Sequence, residues 1–274
     1  MSLKTFDQTY LVMVIGGEKR ADQTIMRTLI LSFLGGCYIA IGGFWALMAT
    51  SSMSATIWGS LSKLIFAGLF PIGLMLILLT GAELFTGNCM TLSSALYEKK
   101  IGIIDVLRNW SLSWLGNFAG AAIFAYTISY MSGLLFISDF NAAQKIVSMA
   151  NAKVSLSFSE AFLRGIIANW LVCLAVFIAM TSDTLINKVV GLWIPVTAFV
   201  TLGAEHSIAN MFFVPLGIFA GNDIFYQAQA GMPALQVTWS TFFLHNLVPV
   251  TLGNIFGGAV CVSAFYFVLA KNKL

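Results

Sequence analysis

Apolar residues run along this chain in long blocks separated by brief polar joints. Six blocks reach or exceed the roughly 20 residues that a helix needs to cross a bilayer, at about 26–50, 60–97, 107–132, 157–181, 188–219 and 238–270. The pattern predicts an all-α membrane protein of six transmembrane helices, with residues 1–274 forming one transmembrane domain. A shorter apolar run, Tyr10 to Ile15, precedes Glu18, Lys19 and Arg20. It lacks the basic start and small-residue cleavage pattern of a signal peptide and suits a helix lying at the membrane interface.

The blocks also repeat. Gly81-Ala82-Glu83-Leu84-Phe85-Thr86-Gly87-Asn88 and Gly203-Ala204-Glu205-His206-Ser207-Ile208-Ala209-Asn210 share the pattern G-A-E-x-x-x-x-N. Further along, NWSLSWLGNFAG at 109–120 and NLVPVTLGNIFG at 246–257 share N-x-x-x-x-x-L-G-N-x-x-G. The first pair falls in spans 2 and 5 and the second in spans 3 and 6, so the chain reads as two copies of a three-helix unit, about 26–132 and 157–270. Three crossings are an odd number, so the copies must run through the membrane in opposite directions, the inverted-repeat plan of many transporters.

Span 2 is too long for a single crossing at about 1.5 Å per residue. Thr86-Gly87-Asn88 offers a hydroxyl, a conformationally free glycine and an amide at which a helix can stop and restart, and Asn210 would serve span 5 in the same way. Irregular backbone at membrane depth is tolerated only where protein buries it or a cavity lies beside it. A second break in the matching place therefore predicts a pathway between the halves.

Composition and charge narrow the picture further. Only 9% of the residues are charged and 59% are hydrophobic, against about one-quarter charged in soluble domains. Lys4, Lys19, Arg20, Arg27, Lys99, Lys100, Arg108, Lys188, Lys271 and Lys273 fall on the side that holds both termini, while Lys63, Lys145, Lys153 and Arg164 fall on the other. That bias puts both termini in the cytoplasm. The basic residues are too thinly spread for a nucleic-acid partner. Cys37, Cys89, Cys173 and Cys261 are scattered one per apolar block and read as packing residues.

Candidate chemistry centres on the second break. An ionisable residue inside a membrane span defaults to a functional role, and His206 stands where the first copy has Leu84, an asymmetric addition to a repeated frame. Glu205 has a twin in Glu83, which suits a structural acceptor for the N–H groups left open at the break. Thr86, Asn88 and Asn210 are open between capping, interhelical hydrogen bonding and contact with a permeant. Arg164, near a span end, reads as a snorkelling side chain, with a share in an anion-attracting field as its alternative. His245 lies at the membrane surface and takes no role.

With these motifs the chain resembles the formate/nitrite transporter family. The likeness rests on ELFTGN at 83–88, GNFAGA at 116–121, AKV at 152–154, ANWLVCLAV at 168–176, GAEHSIANMFFVP at 203–215 and NLVPVTLGN at 246–254. It implies a homopentamer in a cell membrane, one anion pore per protomer, and six spans with broken second and fifth helices. The implied fold is aquaporin-like although Asn-Pro-Ala boxes are missing. Carried over by position, Phe70, Leu74, Phe85 and Phe199 would form apolar constrictions with Leu84 beside them, and His206 would sit between them near Thr86. Lys153 would be the electropositive residue of the extracellular vestibule with Asn169 nearby on span 4, and Glu205 and Asn210 would hold the broken span and the imidazole.

The resemblance implies transport of a small monovalent weak-acid anion, formate foremost, passively or with a proton. Lactate, acetate, nitrite and hydrosulfide stay open, since one methyl group in an apolar passage changes selectivity by only about 1 to 3 kcal/mol. An aquaporin-like pore for neutral solutes is the next reading, disfavoured by the missing Asn-Pro-Ala boxes. A hydrolase built on Glu205, His206 and Ser207 fails on pattern, because the chain has no H-E-x-x-H, no G-x-S-x-G and too few histidines for a zinc site. Neither a cofactor nor a metal is expected.

Overall fold

Thr5, Thr24 and Ser157 each turn a side-chain oxygen onto a backbone N–H of the helix that follows, satisfying one of the donors that a helix start leaves open. The computed structural model describes residues 3–137 and 139–272, so Lys273 lies outside the described residues. Its principal helices are α1 (Phe6–Ala21), α2 (Ile25–Thr50), α3 (Ser60–Thr80), α4 (Phe85–Tyr97), α5 (Ile103–Phe124), α6 (Asn141–Val154), α7 (Phe158–Met180), α8 (Leu185–Leu202), α9 (Ser207–Gly221) and α10 (Trp239–Lys271). The ladder of α3 is interrupted at Phe70-Pro71, where proline has no N–H to give. Wider π turns extend α5 over Ala125–Met131 and lie within α10 at Phe242–Leu247 and Ala259–Ala264.

Among the described residues, α2, α3, α7, α8 and α10 are long and apolar enough to cross a membrane, and α9 is a shorter apolar helix. Burial is inverted relative to a soluble protein. Leu64, Ile104, Leu115, Ile194, Leu202 and Phe265 are exposed, whereas Glu83, Asn88, Asn109, Asn117, Asn169, Glu205, His206, Asn210, Asn246 and Asn254 are buried. An apolar outside around a hydrogen-bonded polar inside is stable only where the surroundings are hydrocarbon. The chain is a multi-pass membrane protein.

Helix packing repeats with the sequence. The largest contacts join α2 to α5 and α7 to α10; α3 packs on α2 as α8 packs on α7, and α1 covers α4 as α6 covers α9. Glycines of the second motif set close approaches at matching crossings. A Cβ on Gly120 would lie 2.0 Å from the carbonyl oxygen of Phe33, and one on Gly257 2.5 Å from that of Ile166, so backbone meets backbone at both crossings.

The interruptions fall earlier than the Thr86-Gly87-Asn88 reading places them. Gly81 ends α3 at φ +78° and Gly203 ends α8 at φ +75°, the left-handed conformation that glycine adopts at little cost. The chain then runs extended through Leu84 or His206 and restarts at Phe85 or Ser207. Thr86, Gly87, Asn88 and Asn210 accordingly lie inside α4 and α9. The glycine that opens each repeated motif terminates the helix; the asparagine that closes it does not.

The apolar face of α1 is packed into protein. Tyr10, Met13 and Val14 are buried, and the Tyr10 hydroxyl donates to Glu98, which also pairs with Lys271 at 2.7 Å. Burial, with Glu98 adding to it, pushes the Tyr10 hydroxyl well above the ordinary phenol range. At the head of the helix, Lys4 bonds Asp183 at 2.7 Å, and its backbone N–H reaches the Thr181 carbonyl.

Candidate functional site

Each break is held by the same set of hydrogen bonds. At the first, Asn117 Oδ1 accepts from the Phe85 N–H at 2.9 Å, while its Nδ2 donates to the carbonyls of Ser32 at 2.6 Å and Glu83 at 2.9 Å. At the second, Asn254 Oδ1 accepts from the Ser207 N–H at 2.9 Å, and its Nδ2 donates to the carbonyls of Gly165 at 2.8 Å and Glu205 at 3.0 Å. The Glu83 and Glu205 amides donate to the carbonyls of Leu31 and Arg164, both at 3.1 Å. Unpaired backbone groups at this depth have no water to turn to.

The two glutamates therefore act differently from the expectation that they accept the open N–H groups. The asparagines of the second motif do that work. Glu83 accepts from Asn88 Nδ2 at 2.6 Å, Gln23 Nε2 at 3.1 Å and Arg20 Nε at 3.2 Å. Glu205 accepts from Asn210 Nδ2 at 2.6 Å, Asn246 Nδ2 at 3.2 Å and Lys153 Nζ at 2.9 Å. Asn88 also reaches Asn109 and Asn210 reaches Asn246, and these partners donate to the carbonyls of Arg20 and Lys153 respectively. Arg20 on α1 and Lys153 on α6 are thus counterparts, each a cation at the end of a covering helix.

Alanine at Asn254 deletes three buried hydrogen bonds and strips the Ser207 N–H and the Glu205 carbonyl at the break of their side-chain partner. Thermal unfolding in detergent should show a loss of at least about 2 kcal/mol. A variant as stable as the parent would mean that the break does not depend on this amide.

Two cavities flank the breaks. The larger one, about 550 Å³, is lined by Lys63, Lys145, Lys153, Arg164, Glu205, His206 and Asn210 together with the rings of Phe66, Phe70, Phe199 and Phe213. The smaller, about 70 Å³, is lined by Arg20, Leu74, Leu84, Gly87, Asn88, Thr91 and Val176 among others. Phe70 faces one and Leu74 the other, four residues apart on α3, so a plug about 6 Å thick separates them. The Phe70 and Phe199 rings meet edge to face at 6.0 Å, Phe213 lies 6.2 Å from Phe70, and Phe199 stacks on His206 at 5.9 Å.

His206 Nε2 and Thr86 Oγ1 are 2.9 Å apart, and both side chains are buried. His206 Nδ1 accepts from the Ala209 N–H at 3.1 Å, so the imidazole caps its own helix. A ring nitrogen that accepts a backbone N–H carries no proton, which leaves the hydrogen on Nε2 and makes it the donor to Thr86.

Other candidate residues are distributed differently. Asn169 is fully buried and bonds the carbonyls of Thr86 at 3.1 Å and Asn254 at 2.6 Å, so it supports the break and does not line the larger cavity. Phe85 lines neither cavity; its ring packs on Trp110 at 6.2 Å, on the other side of α4. Lys153 lies in the last turn of α6, the helix that joins α5 to α7, and both it and Arg164 line the larger cavity. His245 is exposed. The sequence reading missed Asn109, Asn117, Asn246 and Asn254 although it quoted their motif, and missed Arg20, whose pairing with Lys153 across the repeat leaves no shared letter.

Comparison with known proteins agrees with this architecture. A family model described as formate/nitrite transporter matches residues 7–268. A protein of Methanothermobacter thermautotrophicus named "Probable formate transporter" is 43% identical over 263 residues, covering 91% of each chain. The formate channel BtFdhC of Bacillus thuringiensis is 37% identical over 262 residues, covering 96% of this chain and 94% of its own. A solved structure titled as a pentameric formate channel with formate bound superposes with a TM-score of 0.80 at 30% identity, over 89% of this chain and 97% of that one. These relatives are named as transporters and channels, not enzymes. Matched across nearly its whole length in sequence and in three dimensions, the chain belongs to the formate/nitrite transporter family.

Proposed function

We propose that this protein conducts a small monovalent weak-acid anion, formate foremost, through each protomer, with His206 and Thr86 as the polar step between two apolar constrictions. The observation that carries the reading is the 2.9 Å contact between His206 Nε2 and Thr86 Oγ1 in the plug that separates the cavities. Bare transfer of a carboxylate-sized ion into low dielectric has an idealised Born cost of order 20 kcal/mol. A passage walled only by Phe70, Phe199, Leu74 and Leu84 would exclude it.

The hydrogen-bond directions suggest how the polar step works. Nδ1 is occupied as the helix cap, so the neutral imidazole donates through Nε2 to Thr86, and the threonine hydroxyl is free to donate onward to the anion. Loading a second proton onto the ring would set two N–H donors against each other at Ala209. The histidine therefore acts as a polarised donor in this arrangement, and a proton can accompany the anion without coming from the ring.

The repeated bonds and helix partnerships support six spans arranged as two inverted three-helix repeats within one aquaporin-like domain, α3 with α4 and α8 with α9 forming the broken second and fifth spans. The pentameric relative supports a homopentamer. The basic bias supports both termini in the cytoplasm of a cell-membrane protein, with Arg20 at the inner mouth and Lys153 at the outer.

Purified protein in proteoliposomes is expected to take up labelled formate well above empty vesicles, with nitrite and acetate competing and glycerol-driven swelling unchanged. Glycerol permeation without formate uptake would replace this reading by a neutral-solute pore. Uptake of nitrite or acetate in strong preference to formate would keep the channel and change its substrate.

A further inference from the structure

The larger cavity carries four cations, Lys63, Lys145, Lys153 and Arg164, against the single carboxylate of Glu205. Two of the four are already committed. Lys153 is ion-paired with Glu205 at 2.9 Å. Lys145 donates to the Thr50 carbonyl at 2.8 Å and its Oγ1 at 2.7 Å, and lies 5.7 Å from the Phe66 ring centre. Burial lowers the pKa of that ammonium. Among the described residues, the ion pairs engage neither Lys63 nor Arg164.

The repeat marks Arg164 as an addition. Its backbone carbonyl accepts the Glu205 N–H at 3.1 Å, the place Leu31 takes for Glu83 at the other break. The half that has His206 where its twin has Leu84 thus also has arginine where its twin has leucine, and both additions line the same cavity. Lys63 joins them from α3. Its Nζ is 3.9 Å from where a Cβ on Gly203 would stand, beside the start of the break. A structural bond to the break needs only the backbone of residue 164; its guanidinium makes no ion pair among the described residues, and its nearest acidic influence is Glu160, one turn earlier on α7 and outside the cavity lining.

We propose that Arg164 and Lys63 form an outer docking site for a small monovalent oxyanion, occupied before the anion reaches Phe70, Phe199 and His206. The chemistry suits a carboxylate, because the guanidinium fork can hold both oxygens while the ammonium adds a point charge. Walls of Phe66, Phe199 and Phe213 lower the local dielectric, which strengthens the field of uncompensated charges relative to an open surface. The site makes the mouths unequal, since Arg20 at the smaller cavity is matched by Glu83 at 3.2 Å. The identity of the anion rests on the formate reading above; the charge of the cavity does not.

Two measurements separate these. In the first, Ser60, which lines the cavity and is exposed, is replaced by cysteine as a reporter, and its labelling rates by an anionic and a cationic methanethiosulfonate are compared, with protein lacking the added cysteine as control. The anionic-to-cationic rate ratio is expected to fall about 3- to 10-fold when K63Q and R164Q are added, and to be retained when K63R and R164K are added instead. An unchanged ratio overturns the proposal whether or not formate is carried. In the second, the concentration of external formate for half-maximal uptake is expected to rise about 3- to 10-fold in K63Q/R164Q at low ionic strength and to converge with the parent in high salt. A rise that persists unchanged in high salt, or no rise, overturns docking. Absence of formate uptake by the parent, with the labelling ratio as expected, would instead reject formate and keep the cationic site.

Discussion

Replacing His206 by leucine, the residue that stands at the matching position of the first break, is expected to cut formate uptake by about two orders of magnitude while the protein still folds. Leu84 occupies the same extended backbone position with φ −123° and ψ 119°, against −113° and 116° at His206, and caps nothing with its side chain. The backbone of this fold therefore accepts leucine there. What is lost is the Nε2–H that orients Thr86 and the cap on the Ala209 N–H. Without the Nε2–H the Thr86 hydroxyl is no longer held with its proton toward the anion, and that hydrogen bond to a charged group is worth about 1.5–3 kcal/mol, with each 1.4 kcal/mol a factor of ten. Losing that donation thus accounts for about one to two decades, and the added leucine methyls, which thicken the apolar plug, take the expectation to the upper end. Uptake in proteoliposomes with thermal unfolding on the same preparation tests it. Flux within twofold of the parent, in a folded variant, would remove the imidazole from the mechanism.

How much of this was legible beforehand follows from what a linear pattern can record. Hydrophobic blocks mark segments that must be apolar over a bilayer's thickness, so the membrane class and most spans read directly. The repeat was visible because both copies need glycine to end a helix in the left-handed conformation and asparagine to bond a break, and chemistry so specific leaves few substitutes. The location of the break was misread for a related reason. Thr86-Gly87-Asn88 has the composition of a helix start, yet Asn88 is bound to Glu83 and Asn109 from inside α4. Only the backbone at Gly81 reveals the stop.

Roles carried by partners from distant helices were harder still. Nothing local in Asn254 announces that its amide serves Ser207, Gly165 and Glu205 on other elements, and Arg20 and Lys153 share no letter although they share a place. Phe85 shows a further limit: its motif names it as a constriction, its ring packs on Trp110 at 6.2 Å, and residue type alone does not encode the helix rotation that decides which way an aromatic faces.

Removing Glu205 should destabilise the protein far more than removing Lys153, even though the two form one ion pair. Glu205 is 6% exposed and Lys153 14%, so both charges are largely withdrawn from solvent. In Lys153→Met the carboxylate keeps the amides of Asn210 at 2.6 Å and Asn246 at 3.2 Å. In Glu205→Ala the ammonium keeps no hydrogen-bond acceptor among the described residues, and a buried charge stripped of its partner costs about 3–5 kcal/mol. The double variant relieves that charge, and both amides retain bonds, Asn210 to Asn246 Oδ1 at 2.7 Å and Asn246 to the Lys153 carbonyl at 2.9 Å. Unfolding in detergent should therefore rank Glu205→Ala as least stable and the double variant above it, the coupling expected of two side chains in direct contact. Equal losses in the two single variants, adding without coupling in the double, would mean that Lys153 stands in solvent and that the carboxylate is held by asparagines alone. Because the double variant removes one charge of each sign, it also leaves the larger cavity's excess positive charge as it was, so the proposed steering by Arg164 and Lys63 should survive the loss of a pair that ties the break to α6.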